Sequence, residues 1–389
     1  MTNILPTYPR SNLAFTHGEG CYLYSSDGNK YLDFGSGIAV NSLGYSNDYL
    51  NKKLIEQSEK LWHVSNIYQI PEQERLAKRL CDVSFADYAF FCNSGTEAVE
   101  ASIKIARRYF HKKENSKIKN EIITFEGSFH GRTIGSLAAG GPDKLESFNT
   151  TVSGFKHIEF GNHDLLKKEI NENTAAIIIE PLQGEGGIRE VPIECLKGLR
   201  EICDQNDILL IFDEVQCGVG RTGKMFAHEW SGIFPDIMTI AKAIGNGFPL
   251  GACLTSKNVG STMDFGSHGS TFGGNPLASA VGNAVLDIML EDSFFDNLDK
   301  VSHNLFSGLQ SVQKDFPDII ELVRGRGLML GIKCKVKNTD FVENARANKL
   351  LSVKASDNIV RIMPPLILSL KECNEGIEKI RATCESFKS

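Results

Sequence analysis

Between residues 86 and 280, short apolar runs alternate with segments of helical period. The runs cover 89–92, 122–125, 175–179, 208–212, 237–240 and 252–255, each of strand length. This alternation predicts an α/β fold with a large, mainly parallel sheet wrapped by helices. Run 208–212 is apolar throughout, as suits a strand covered on both faces. In open sheets of this kind ligands gather at the carboxyl ends of the strands. The residues that follow each run therefore carry most of the functional information.

After 208–212 come Asp213, Glu214, Val215 and Gln216; after 237–240 come Ala241 and Lys242, then Gly245, Asn246 and Gly247. A carboxylate and a lone lysine on one rim can hold a pyridinium nitrogen and a Schiff base. Strand-end acids otherwise cap loops, and a lysine after a strand is otherwise a solvated group. Asn93-Ser94-Gly95-Thr96-Glu97 joins a strand to a helix whose buried face is Val99, Ile103, Ala106 and Phe110. Ser94 and Glu97 have capping-box spacing, and the N–H groups of Gly95 and Thr96 at the positive helix end suit a phosphate. An ordinary capped helix would read the same way.

Ser128 to Thr133 follows the next run, with Phe129 to cover a flat heterocycle and Arg132 to bind a carboxylate bidentately. Glu180 to Gly187, with Glu185 in a glycine-rich turn, leaves a further strand. Gly269 to Pro276 is a tight loop carrying Ser270 and Thr271, and Arg361 before Pro364-Pro365 offers a second fixed cation. Gly218 to Gly223 also matches GxGxxG, and Gly218 to Lys224 matches GxxxxGK. Met225 stands where a P-loop needs a hydroxyl, and two acids just upstream would repel a triphosphate. A phosphate- or nucleotide-binding module there is the weaker alternative.

The formal charge of −6 argues against nucleic acid or an anionic membrane as partner. No apolar run reaches membrane-spanning length, and residues 1–10 lack the apolar centre of a signal peptide. The ten cysteines are scattered without a C-x-x-C pair, as in a reducing cytoplasm. The nine histidines occur singly, so no metal is expected.

The chain ends have mixed character. Residues 13–45 read as an antiparallel piece turning at Asp27-Gly28-Asn29, followed by small residues at 35–41. A helix is expected over 49–61 with Leu50, Leu54 and Leu61 on one buried face, and an exposed charged connection over 112–121. Strands at 327–334 and 359–363 and a helix at 371–387, with Ser369 and Glu372 as its capping box, complete the pattern. The expected division is 1–45 in a small domain, 46–285 as the large domain, and 286–389 returning to the small one.

Together these segments resemble the class III aminotransferases, which are fold-type I pyridoxal-phosphate enzymes. The resemblance covers nearly the whole chain and rests on NSGTEA, FHGRT, EPLQGEGGI, IFDEVQCGVGRTG, AKAIGNGFPLGA, HGSTFGGNPLA and VRGRGLMLGI. It implies pyridoxal 5'-phosphate as cofactor, Lys242 as the Schiff-base lysine and Asp213 as partner of the pyridine nitrogen. It also implies Gln216 near the ring hydroxyl, Val215 and Phe129 on the two ring faces, and Gly95 and Thr96 on the phosphate. Glu214, between these positions, is counted with the cofactor site. Thr271 is implied to reach the phosphate of a neighbouring subunit, hence a homodimer with shared sites.

The resemblance further implies N2-acetyl-L-ornithine as amino donor and 2-oxoglutarate as acceptor, with the donor carboxylate on Arg132 near Ser270. Arg361 would take the second carboxylate of the diacid, and Glu185 would pair with Arg361 when that carboxylate is absent. Relatives acting on free ornithine carry a tyrosine where this chain has Gly37. Succinylornithine, 4-aminobutyrate or ornithine as donor, or a same-fold aminomutase, remain alternatives.

Overall fold

The computed structural model describes residues 3–113 and 119–388. The middle of the charged connection expected at 112–121 lies outside the described residues. The chain opens with three antiparallel strands, β1 (Phe15–Glu19), β2 (Tyr22–Ser25) and β3 (Lys30–Asp33). The β2–β3 turn closes where Gly28 takes φ +80°, a conformation that needs no Cβ. The helix Asp48–Ser58 follows, capped by the Asn47 side chain. It stops short of Leu61, which is exposed beyond its end, so only Leu50 and Leu54 face inward.

The centre holds β4 (Tyr88–Cys92), β5 (Glu121–Phe125), β6 (Phe155–Ile158), β7 (Thr174–Ile179), the short ribbon β8 (Leu182–Gln183) and β9 (Arg189–Glu190), β10 (Leu209–Asp213), β11 (Ile237–Ile240) and β12 (Gly251–Thr255). Seven of these form one sheet in the order β4-β12-β11-β10-β7-β5-β6. Only β12 runs against its neighbours, so the sheet is mainly parallel. Its apolar runs alternate between two cores. Ile122, Ile178 and Ile211 pack with Val99, Ile103, Ala106 and Phe110 of the helix Gly95–Lys113. Their neighbours Ile123, Ile177 and Leu210 pack on the other face with Leu196 and Leu199. Burying both faces explains why these strands carry no polar alternation. Each fully buried side chain of this size contributes roughly 1.5–3 kcal/mol.

The C-terminal part adds β13 (Ile320–Arg326), β14 (Met329–Cys334), β15 (Leu350–Leu351), β16 (Val353–Ala355) and β17 (Ile359–Ile362). A four-stranded sheet runs β13-β14-β17-β16, while β15 pairs in parallel with β3. The last helix, Leu370–Glu385, begins with the Ser369–Glu372 capping box. One large core joins Leu76, Leu250 and Val285 to Leu305, Phe341, Ile362 and Ile380.

Candidate active site

The strand ends converge as the alternation requires. Asp213 closes β10 and lies opposite Thr239 of β11. Its carboxylate Oδ1 accepts the Val215 N–H and the Thr239 hydroxyl, each at 3.1 Å. Oδ2 sits 2.7 Å from His130 Nδ1, and a carboxylate can only accept there. Lys242 starts the short turn Lys242–Gly245 after β11, with φ 49°. A non-glycine residue held in that region costs about 1–3 kcal/mol and persists only when its surroundings impose it. Among the described residues the Lys242 amine has no hydrogen-bond or ion-pair partner. Lys242 remains partly accessible. Desolvation brings the amine from 10.5 down to about 8, opposed by Asp213 and Glu180 and assisted by Arg361.

These features fit the expected cofactor. A fixed carboxylate would suit a pyridine nitrogen, and an amine without protein partners is free to act as a nucleophile. One wall is built by Val215 lying against Gly95, where an added Cβ would come within 2.4 Å of Val215 Cγ1. The helix Gly95–Lys113 presents its first N–H groups, which have no partner inside the helix. Ser94 Oγ donates to Glu97 at 2.9 Å, while Glu97 takes the Asn93 N–H at 2.8 Å. The Thr96 hydroxyl is already committed. It accepts the Arg132 and Thr133 N–H groups at 3.2 and 3.3 Å and bonds Ser136 Oγ at 2.7 Å. Thr96 thus has its backbone N–H to offer a phosphate.

Glu214 departs from the expectation. Its carboxylate accepts the Ala227 N–H at 2.5 Å and the His228 N–H at 2.9 Å, and meets His228 Nδ1 at 3.1 Å. Glu214 instead caps the turn Ala227–Trp230. The glycine-rich 218–224 segment is also structural. Buried Arg221 donates to the carbonyls of Leu328 at 3.1 Å and Pro364 at 2.5 Å. Lys224 lies over Trp230 at 4.7 Å, and no phosphate-binding helix follows.

The two arginines occupy different surroundings. Arg361 is buried on β17 and pairs with Glu185 at 2.9 Å. It also donates to the Lys354 carbonyl at 3.0 Å and reaches Gln216 Oε1 at 3.5 Å. Among the described residues its Nε has no hydrogen-bond partner. Arg132 is exposed and lies over the Phe129 ring at 5.3 Å. Ser270 does not meet it within one chain; its hydroxyl accepts the Gly273 N–H at 3.0 Å. Thr271, beside it, is exposed. Residues 36–39 form a left-handed turn, with Gly37 at φ 66° and Ile38 also at φ 66°.

Two site residues had no role assigned from sequence, although both lie in motifs the sequence displays. His130 is buried behind Asp213, and among the described residues its Nε2 has no hydrogen-bond partner. Buried Glu180 accepts the Phe129 N–H at 2.8 Å and the Gly184 N–H at 3.4 Å. Burial raises its carboxyl to about 7, against the pull of His130.

Comparison with known proteins gives the family. The family model described as Aminotransferase class-III matches residues 6–384. An acetylornithine aminotransferase of Mesorhizobium japonicum is 54% identical over 97% of this chain and 94% of its own. One from Agrobacterium fabrum is 51% identical, over 99% of this chain and 96% of its own. Among solved structures, N-acetylornithine aminotransferase from Stenotrophomonas maltophilia K279a is 35% identical with a TM-score of 0.86, covering 98% of this chain and 97% of that one. The ornithine aminotransferase from Toxoplasma gondii ME49 is 26% identical with a TM-score of 0.94, covering 99% and 93%. With a family match over nearly its whole length and the fold-type I architecture of its neighbours, the chain belongs to the class III aminotransferases, whose cofactor is pyridoxal 5'-phosphate.

Proposed function

We propose that this protein transfers the distal amino group of N2-acetyl-L-ornithine to 2-oxoglutarate, yielding N-acetyl-L-glutamate 5-semialdehyde and L-glutamate. The observation that carries this reading is the Arg361–Glu185 ion pair. A site alternating between a donor with one carboxylate and an acceptor with two needs one cation that can be neutralised. Relatives at 54% and 51% identity bearing the acetylornithine activity support the choice of donor.

Bound cofactor supplies an electron-accepting ring that holds the amino group between the two substrates. Asp213, braced by His130, Thr239 and Val215, would keep the ring nitrogen protonated. Val215 and Phe129 would flank the ring, and the N–H groups of Gly95 and Thr96 would hold its phosphate. Lys242 Nζ would take the proton from the donor's reacting carbon as general base and, once protonated, would serve as general acid. Arg132 holds the carboxylate common to both substrates. Arg361 takes the second carboxylate of 2-oxoglutarate, and Glu185 covers Arg361 when the donor is bound, because the donor's reacting carbon carries no carboxylate.

A homodimer completes the site in this reading, with Ser270 and Thr271 reaching the partner's cofactor and substrate. The exposed Trp62, Ile67, Tyr68, Phe265 and Phe272 support a covered surface near that loop. Asn66 links the two segments by donating to the carbonyls of Ser270 and Gly273, each at 3.0 Å. We place residues 1–45 and 286–389 in one small domain because β15 pairs with β3. The scattered cysteines favour a cytoplasmic location; no helix among the described residues is long and apolar enough to cross a membrane.

The test is a donor panel of acetylornithine, ornithine, succinylornithine and 4-aminobutyrate with 2-oxoglutarate, reading glutamate formed. Acetylornithine should give the highest kcat/KM. A higher value for ornithine or 4-aminobutyrate, or turnover without any keto acid, would overturn the reading.

A further inference from the structure

The turn that carries Glu185 has three glycines, and from sequence alone it reads as flexible. The structure holds it fast. The Gly187 carbonyl accepts two hydrogen bonds from Arg324, from Nε at 2.9 Å and Nη2 at 2.6 Å. Arg324 Nη2 also meets Asp357 Oδ2 at 2.7 Å, and Asp357 is shared with Lys333 at 3.2 Å. The Glu185 carbonyl accepts the Ser356 N–H at 3.0 Å. On the other side the N–H groups of Gly187 and Ile188 close back on the Gly184 carbonyl at 3.2 and 3.3 Å. Gly187 has φ +103°, and a Cβ there would come within 2.9 Å of the Ser356 carbonyl. Glycine at 187 serves close approach rather than freedom.

We propose that Arg324 and Asp357 form a brace that fixes the backbone beneath Glu185, so that the exchange at Arg361 proceeds by rotation of the Glu185 side chain alone. Arg324 is then a positioning residue for donor selection, acting through Glu185 without touching substrate. The inference rests on the proposed roles of Glu185 and Arg361. Its physical basis is preorganisation. A carboxylate on an anchored backbone loses less freedom on pairing, and a displacement of about 1 Å is enough to cost rate heavily. Arginine suits the task because its planar fork places two donors on one carbonyl while a third bond reaches Asp357. Asp357 itself sits at φ 56°, a conformation asparagine also tolerates, which makes Asp357→Asn a mild probe.

The experiment uses holoenzyme and single-turnover changes in cofactor absorbance for each half-reaction. Affinity for glutarate, a diacid that cannot react, is measured alongside. Arg324→Gln should slow the acetylornithine half-reaction about tenfold while leaving the glutamate half-reaction and glutarate affinity within about twofold, or tightening glutarate. Asp357→Asn should cause a smaller loss in the same half, and it carries the test if Arg324→Gln does not yield folded holoenzyme. Arg324→Lys should restore little, since it lacks the fork. Equal losses in both halves, with Glu185→Gln still selective, would make Arg324 a general structural support and overturn the brace. Equal losses in both halves for Glu185→Gln would remove the gate, and the brace with it.

Discussion

Arg132 is exposed and rests on an aromatic ring, whereas Arg361 is buried and tied to a carboxylate, a carbonyl and an amide oxygen. The difference shows how one site can treat two carboxylates unequally. An exposed arginine has little desolvation to recover and is ready for any carboxylate that arrives. A buried one left unpaired costs roughly 3–5 kcal/mol, so it demands a partner at every stage. Glu185 is about half-exposed, with 47% of its side chain accessible, and can leave toward water when a substrate carboxylate replaces it.

The strongest perturbation abolishes the distinction altogether. Lys242→Ala should slow both half-reactions by about 10^4-fold, because both need the same proton carrier. Single-turnover absorbance reads this, and borohydride should fix the wild-type cofactor at Lys242 only. Arg132→Gln should lower kcat/KM by about 100-fold for both substrates, the loss expected for one bidentate carboxylate pair. A loss confined to one substrate would break the idea of a common clamp.

Arg361→Gln should separate the halves. The 2-oxoglutarate and glutamate side should fall about 100-fold, and the acetylornithine side by less than about threefold. Glu185→Gln should do the reverse with a smaller effect, about tenfold on acetylornithine alone, since its partial exposure weakens the pair. Parallel losses, read in the same half-reactions, would merge the two arginines into one function.

The smallest expected effect is in pH. Free Lys242 must be unprotonated to act as base, so the rate rises with pH and levels off above about 8. Between pH 8 and 9 the gain should be less than about twofold, whereas an undisturbed lysine would gain nearly tenfold. Because the Arg361 charge lowers the amine, Arg361→Gln should move the limb upward.

Much of the fold was legible because burial on both faces leaves a plain apolar signature. The run 237–240 is a strand with those bounds, and 208–212 differs from Leu209–Asp213 by one residue. Strand β6, Phe155–Ile158, was not legible: it lies at the sheet edge, where Lys156 and His157 interrupt the apolar run. Strand β13 was hidden in the same way by Glu321, Arg324 and Arg326. The reversal of β12 left no mark in composition, since an apolar strand reads alike in either direction. Leu61 kept helical spacing beyond the point where its helix ends.

By itself the sequence determined the layered α/β class, the strand ends as the place of chemistry, and the family through motifs that follow those ends. These are local or periodic properties, written into neighbouring residues. Only the tertiary structure decided which of two adjacent acids faces the site, that His130 stands behind Asp213, and that Glu180 ties the Phe129 loop to the Gly184 turn. It also decided that a glycine-rich turn is rigid, because Arg324 arrives from 137 positions away along the chain. Such contacts depend on side-chain direction and on segments distant in sequence, and neither is carried by spacing.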